Sequence, residues 1–223
     1  PLAQQASVPE DASVVVVAGP RADFLSGEID ALKAYLARGG KLMLLMDPPE
    51  KADDPSLTNL TALAREWAIE LGNDVVVDVS GMGRLLGTDA TVPVAVNYPS
   101  HPIVQEMDLL TAYPLARSVS AVSGGVGGRS AQAFVETSAQ SWAETDMKTV
   151  LAGGKVGLDE AKGDKRGPVA IAAAASAPVA TPPAEDKPGA EKPADDAQKP
   201  ETRVVVFGDS DFASTAALGI SGN

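Results

Sequence analysis

The sequence predicts an α/β domain with a mainly parallel sheet, extended by a β-rich antiparallel part. Several apolar, β-branched runs lack polar alternation, which is the pattern of strands buried on both faces. Helical patterns fill the short intervals between the first of these runs, and such intervals imply the crossover connections of a parallel sheet. From about residue 90 to residue 177, strand-like segments follow one another with few helices between them. The chain has 223 residues and is 44% hydrophobic, so it is long enough to bury a substantial core.

The first part of the chain alternates strands and helices. Ser26 is a suitable helix N-cap, and Glu28 lies in the first turn, where negative charge is favourable. The adjacent glycines 39 and 40 are typical of a helix C-terminus. In chain order, the predicted elements are a strand at residues 14–18, a helix from about residue 26 to these glycines, a strand at residues 42–46, a helix from about residue 56, and a strand at residues 75–79.

The remaining chain is predicted to be β-rich and to contain a linker. Residues 178–202 are nearly all proline, alanine and charged residues, which predicts an extended, disordered linker. It separates an α/β domain at residues 1–177 from residues 203–223, which are expected to supply the last strand of that domain and the start of a truncated helix. The other predicted elements are strands at residues 91–98, 111–121, 131–138 and 169–175, a short helix at residues 102–107, and a glycine-rich turn at residues 124–128.

Composition excludes several classes of function. The net charge is −12, and no cluster of lysine and arginine with interleaved aromatic residues is present, so nucleic acid is not an expected partner. The chain contains no cysteine, which excludes thiolate catalysis, disulfides and cysteine-ligated metals. It contains no apolar run of about 18 residues that would span a bilayer. Because it begins at Pro1, we expect it to be an excised soluble piece of a longer protein.

Polar residues follow three of the predicted strands and form the candidate site. Gly19 follows the first strand, Asp47 follows the second, and Asp209, Ser210 and Asp211 follow the last. The carboxyl ends of parallel strands meet at one edge of a sheet, where open α/β sheets bind ligands. We therefore expect Gly19, Asp47, Asp209, Ser210 and Asp211 to lie close together, as ligand-binding rather than catalytic residues.

The same stretch allows other interpretations. Gly-Asp-Ser at a strand end is similar to the nucleophile block of GDSL-type hydrolases, but the only histidine, His101, lacks an aspartate three residues before it and is predicted to be a turn or capping residue. Asp209 and Asp211 together would suit a carboxylate-based hydrolase or a metal enzyme. A small-molecule receptor at this edge is a further alternative. The structural interpretation is that Gly208 permits a turn and that Asp209 or Ser210 caps the next helix. The sequence predicts no catalytic residue, metal site or cofactor.

Several stretches together resemble a known family. In order they are VVVVAGP, LSGEIDALKAYLARGGKLMLLMDPP, NDVVVD, NYPSHPIV, TSAQSWAETD, GPVAIAAA, and RVVVFGDSDFAS followed by GISGN. With these blocks the chain is similar to the GldG-like auxiliary component of ABC-type transport systems, a family associated with gliding motility. The resemblance covers nearly the whole chain except the linker.

This resemblance implies a fold, a location and partners. The fold would be a flavodoxin-like three-layer sandwich, similar to class I glutamine amidotransferases, whose cysteine nucleophile this chain lacks. The domain would lie on the periplasmic or extracytoplasmic face of the bacterial inner membrane, held by membrane anchors outside this sequence. Its partners would be the ABC permease and ATPase subunits, since no GxxxxGK[ST] loop is present here. We therefore expect a non-enzymatic domain that binds a partner subunit or an envelope ligand.

Overall fold

The computed structural model describes residues 2–49, 56–179 and 201–217. Within them the strands are β1 (Val15–Ala18), β2 (Lys41–Leu45), β3 (Ile69–Leu71), β4 (Val75–Asp78), β5 (Val94–Ala95), β6 (Thr111–Ala112), β7 (Val119–Ala121), β8 (Ser130–Glu136), β9 (Ser141–Glu144), β10 (Lys165–Arg166), β11 (Ala170–Pro178) and β12 (Glu201–Phe207). The α-helices are α1 (Ser26–Ala37), α2 (Thr58–Glu66), α3 (Met82–Leu85) and α4 (Met147–Leu151). Short 3-10 turns lie at Leu2–Gln4, Glu160–Lys162 and Asp211–Ala213.

The central sheet contains five of these strands in the order β1-β2-β12-β11-β8. The first three are parallel, with Leu44 of β2 opposite both Val17 of β1 and Val206 of β12. The other two are antiparallel, because β11 pairs in opposite directions with β12 and with β8. The last described strand therefore enters the middle of the sheet and joins its parallel half to its antiparallel half.

Two apolar cores lie on opposite faces of this sheet. On one face, α1 and α2 pack against alternate strand residues such as Leu44 and Val206. On the other face, Phe207 packs with Ile171 and with Phe134 of β8, beneath residues of the β-rich part. The alternation along β2 and β12 thus divides their apolar side chains between the two cores.

The first strand departs from the sequence prediction. The apolar run at residues 14–18 predicts burial on both faces, but Val14 is 52% exposed and Val16 is 54% exposed. Only Val17 of β1 is buried, against the helices. This strand lies at the edge of the sheet, and the β-rich part covers the face of the sheet near β11, β12 and β8.

The predicted flavodoxin-like, class I glutamine amidotransferase-like three-layer sandwich is wrong. Residues 75–79 were expected in the central parallel sheet, but β4 lies in a separate antiparallel sheet of order β10-β9-β4. Two further antiparallel pairs, β3 with β7 and β5 with β6, add to the antiparallel content. Only α1 and α2 among the described helices exceed five residues. The second face of the central sheet is therefore covered by strands and turns where a flavodoxin-like fold has helices, and the chain is a mixed α/β protein.

Several other predictions concern the chain outside the central parallel strands. Residues 102–107, predicted as a helix, form turns. Most of the predicted linker at residues 178–202 lies outside the described residues, and its ends belong to strands, since Pro178 of β11 is opposite Glu201 of β12. Part of the predicted C-terminal helix, residues 218–223, also lies outside them. No helix within the described chain is long and apolar enough to cross a membrane.

Candidate functional site

Three of the five predicted site residues meet at the carboxyl end of the parallel strands. Ser210 donates its backbone N–H to Asp47 Oδ1 at 2.5 Å and its hydroxyl to Asp47 Oδ2 at 2.7 Å. A Cβ added to Gly19 would lie 2.8 Å from Ser210 Oγ and 3.2 Å from Asp47 Oδ2. Gly19 also has a φ of +54°, which favours glycine. The close approach of β1, β2 and β12 therefore requires the absence of a side chain at Gly19.

Asp209 is the most deeply buried residue of this group. It is 1% exposed, and its Oδ1 accepts the backbone N–H of Asp211 at 2.7 Å. Its Oδ2 accepts the backbone N–H of Phe212 at 3.2 Å. Because these two N–H groups begin the 3-10 turn at Asp211–Ala213, Asp209 caps that turn, as the structural interpretation of the sequence predicted.

The protonation of Asp209 follows from this burial. The pKa of Asp209 is raised to about 8. Desolvation by burial is the largest cause, and the nearby carboxylates of Asp47 and Asp211 act in the same direction, whereas the N–H groups of Asp211 and Phe212 oppose the rise. Most of the Asp209 carboxyl is therefore neutral at pH 7. Both oxygens of Asp209 already accept backbone N–H groups of the same chain, which are the contacts of a structural cap.

Arg117 is a buried residue of this region that the sequence analysis did not single out. Its Nε donates to the carbonyl oxygen of Gly72 at 2.6 Å, its Nη2 donates to the same oxygen, and its Nη1 donates to the carbonyl oxygen of Asp47 at 3.3 Å. Its backbone N–H donates to the Gly208 carbonyl at 2.8 Å. Burial lowers the pKa of Arg117, and the charges of Asp74 and Asp47 oppose this. One signal in the sequence could have identified Arg117, because it is a charged residue within the predicted strand at residues 111–121.

The contact between Asp47 and Ser210 is one example of a pattern that recurs away from the sheet edge. In each case a carboxylate accepts both the backbone N–H and the hydroxyl of one serine or threonine. Between distant parts of the chain, the other pairs are Asp74 with Ser118, Asp78 with Ser138, and Asp164 with Thr145. Asp89 with Thr91 and Asp146 with Thr149 form the same arrangement within one turn. Since the same arrangement joins loops elsewhere in the chain, at Asp47 it indicates a structural connection between two loops.

His101 has a structural role as well. Its Nδ1 accepts the backbone N–H of Ile103 at 3.2 Å, and its ring stacks on Phe134 with 5.3 Å between centroids. The predicted turn role of His101 is therefore confirmed. In the part of the chain that the structure describes, no three or more histidine, aspartate or glutamate side chains are grouped to hold a metal ion.

Replacing Asp47 by alanine should destabilise the fold by about 1–3 kcal/mol, because the N–H and hydroxyl of Ser210 would lose their acceptors in a half-buried site. Thermal and urea unfolding would measure the change. Asp108, which is exposed, supplies the matched control variant Asp108→Ala. Equal unfolding midpoints for the two variants would contradict a structural role for Asp47.

The fold and this edge define a mixed α/β domain whose strand-end carboxylates are held by amide and hydroxyl groups of the same chain. The chain belongs to the ABC transporter auxiliary family described as "ABC-type uncharacterized transport system", whose model matches residues 1–222. Among solved structures it is similar to the mmIFT52 N-terminal domain, with a TM-score of 0.56 and 17% identity over 93% of this chain and 70% of that chain. At this identity the likeness concerns the fold alone. No curated protein matches the chain in sequence.

Proposed function

We propose that this chain is a non-enzymatic docking domain of an ABC transport system auxiliary protein, placed on the extracytoplasmic side of the membrane. The observation that carries the proposal is the apolar edge of β1, which within the described chain has a strand neighbour on one side only. Family membership supports a role beside the other components of a transport system. The absence of cysteine suits an oxidising compartment outside the cytoplasm.

Among the described residues, one side of the β1 backbone has no strand partner. Gly19 donates its N–H to Leu45 of β2 at 3.0 Å, and the direction of N–H and C=O groups alternates along a strand. Val15 and Val17 therefore face β2, whereas the backbone groups of Val16 and Ala18 point away from it. Among the described residues, β1 has β2 as its one strand neighbour. A further strand would be able to pair with this edge.

The side chains of this edge suit an apolar or basic segment. Residues 13–19, SVVVVAG, contain no charge and no proline, the devices by which exposed edge strands normally avoid pairing. Val14 and Val16 are both more than half exposed beside this edge. A second copy of the chain would bring another net charge of −12, which opposes self-association. We therefore commit to an extended segment of the permease, exposed on the extracytoplasmic side of the membrane, that adds a strand to β1.

The non-enzymatic part of the proposal rests on the polar residues at the carboxyl end of the parallel strands. An active-site carboxylate needs an oxygen within reach of a substrate. Both oxygens of Asp47 accept hydrogen bonds from Ser210, and both oxygens of Asp209 accept backbone N–H groups. The hydroxyl of Ser210 donates to Asp47 and lacks a histidine base. These groups hold loops together, and that accounts for the acidic strand end without catalysis.

Site-specific crosslinking would test the docking edge. Because the chain has no cysteine, Val16→Cys provides a single attachment point for a photo-crosslinker in the full-length protein, expressed with its ABC permease and ATPase. The expected result is a crosslink from position 16 to the permease, and a crosslink to the ATPase would contradict the proposed location. Val79→Cys is the matched control, since Val79 is an exposed valine, 60% accessible, outside β1.

A second variant separates docking from folding. Val16→Lys places a charge on the edge and should weaken co-purification with the transporter subunit at least about tenfold, because an unpaired charge in an apolar contact costs more than about 1.4 kcal/mol. Val79→Lys should leave it unchanged, and both variants should keep the melting temperature of the wild type. Crosslinks to a second copy alone, or no crosslink at all, would contradict the proposed occupant.

A further inference from the structure

A cavity of about 560 Å³ lies along β11, on the face of the central sheet opposite α1 and α2. Ala174 and Ser176 of β11 lie on its floor, whereas the neighbouring β12 contributes the longer side chains of Val205 and Arg203. The alanine-rich sequence of β11 therefore leaves a trough between the longer side chains of its neighbours. The volume of this trough is within the range of ligand pockets, about 300–1,000 Å³.

The segment at residues 101–103 forms a wall of the trough beside β8. The His101 ring stacks on Phe134 with 5.3 Å between centroids, and the carbonyl of Ser100 accepts Gln132 Nε2 at 2.7 Å. Both contacts fix this segment to β8, so the wall is in place before any molecule binds. The other two residues of the wall, a proline and an isoleucine, add apolar surface to it.

The strand register separates polar from apolar side chains on this face of the sheet. Residues that are opposite each other on neighbouring strands point to the same side of a sheet. One row across β2, β12, β11 and β8 is polar and consists of Lys41, Arg203, Ser176 and Ser130. The next row, two residues further along β12, is apolar except at its end and consists of Met43, Val205, Ala174 and Gln132. A molecule with one polar end and an aliphatic body matches these two rows.

The charges of the polar row favour a negative group. Arg203 donates its Nε to Glu201 Oε2 at 3.1 Å, and this bond leaves Nη1 and Nη2 without an acceptor among the described residues. Two parallel N–H donors of a guanidinium match the two oxygens of a carboxylate. Lys41, beside Arg203, is exposed and forms no ion pair within the described chain. Two cations and one carboxylate thus give a local positive excess on a chain whose net charge is −12.

From these observations we infer that the trough binds a small aliphatic carboxylate, with its anionic end at Arg203 and its body on Val205 and Ala174. The site lies at the amino end of β12, whereas the sequence analysis predicted a ligand at the carboxyl end of the parallel strands. In the central sheet, β2 separates the trough from β1. The inference therefore does not depend on docking at β1, and an organic acid bound here would be a ligand in addition to the permease.

NMR titration of the wild-type protein tests the site with probes that share a linear six-carbon chain. Hexanoate carries a carboxylate, hexan-1-ol is neutral, and hexylammonium is a cation. His101 is the only histidine of the chain and lies in the cavity wall, so its ring signals report on the site. Hexanoate should shift these signals and bind about fivefold more tightly than hexan-1-ol, the effect of one partly exposed ion pair. Hexylammonium should bind more weakly than both.

Acetate tests the contribution of the aliphatic body. It has the same anionic group as hexanoate but lacks four methylene groups, so it should bind at least about tenfold more weakly. Equal affinity for acetate and hexanoate would show that no apolar surface takes part. Absence of binding by all the probes, or a preference for hexylammonium over hexanoate, would overturn the inference.

Charge variants test the role of Arg203. Arg203→Gln should remove the preference for hexanoate and leave the affinity for hexan-1-ol unchanged. Glu201→Gln should tighten hexanoate binding, because it removes the negative charge that competes for the guanidinium, and a purely structural role of this pair would not produce that gain. Arg65→Gln is the matched control, since Arg65 is an exposed arginine of α2 that is ion-paired with Glu70. Retention of the hexanoate preference in Arg203→Gln, or its loss in Arg65→Gln, would refute the assignment.

A variant that fills the trough tests its location. Ser176→Leu places a larger side chain on the floor beside Arg203 and should abolish binding of both hexanoate and hexan-1-ol. Ser123→Leu is the matched control, since Ser123 is also exposed and does not line the cavity. Because both positions are exposed, both variants should keep the melting temperature of the wild type. Unchanged binding in Ser176→Leu, or equal loss in both variants, would contradict a site on β11.

Discussion

Gly208→Ala is expected to leave the chain largely unfolded at temperatures where the wild type is folded. A Cβ at position 208 would lie 2.1 Å from the carbonyl oxygen of Arg117 and 3.0 Å from its carbonyl carbon. Neither backbone is free to move away, because Gly208 donates its N–H to Ile171 at 2.9 Å and accepts the N–H of Arg117 at 2.8 Å. Such overpacking against backbone should cost about 3 kcal/mol or more, a large part of the stability of a typical domain.

Circular dichroism and thermal unfolding of the purified variant would measure this effect. Gly157→Ala is the matched control, since a Cβ there meets no atom within 4 Å and its φ is ordinary for other residues. The control should unfold within a few degrees of the wild type. A Gly208→Ala protein with the melting temperature of the control would mean that β12 and the Arg117 segment are not packed as described.

The second large effect is a loss of stability as pH rises, caused by Asp209. Its pKa is about 8 in the folded chain, against 3.8 for an ordinary aspartate. Below about pH 4 the carboxyl is protonated in both states, so its contribution is fully present there. Between these values the unfolded chain releases the proton and the folded chain keeps it. The contribution is therefore lost as pH rises toward 8, at up to about 1.4 kcal/mol per pH unit.

Urea unfolding between about pH 5 and pH 9 would measure this slope, and Asp209→Asn should reduce it because the amide does not titrate over that range. Asp108→Asn, at an exposed position, is the control and should keep the slope of the wild type. Asp209→Asn should also support transport at neutral pH, since the native carboxyl is already neutral there. An unchanged slope in Asp209→Asn, or loss of transport with unchanged stability, would contradict the capping role.

The parallel half of the sheet was predictable from the sequence because its strands follow simple rules. The runs at residues 42–46 and 204–207 are buried on both faces, and β1, β2 and β12 are parallel neighbours. The run at residues 75–79 has the same apolar pattern but joins another sheet. All four residues of β4, including Asp78, are buried beneath other layers. A short apolar run predicts that a strand is buried, but it does not predict which strand lies beside it or in which direction that strand runs.

The candidate site was predictable in part for a similar reason. Strand ends that share an edge bring Gly19, Asp47 and Ser210 together, and this follows from topology alone. The role of Arg117 and the trough along β11 depend on contacts between distant parts of the chain, such as His101 with Phe134. No local pattern encodes these contacts. Spacing along the sequence therefore indicated which strand ends would meet but not which side chains from distant segments would lie beside them.

The position of β12 has a consequence for the order of folding. This strand, the last in the described chain, lies between β2 and β11, and the two loops joined by Asp47 and Ser210 are 163 residues apart in sequence. The sheet cannot close until residues 201–207 have been synthesised, so β2 and β11 remain without their shared neighbour while the chain emerges. Pairings over such a distance form slowly, because a long loop must close first. This delay would keep the nascent chain open until its last strand has been made.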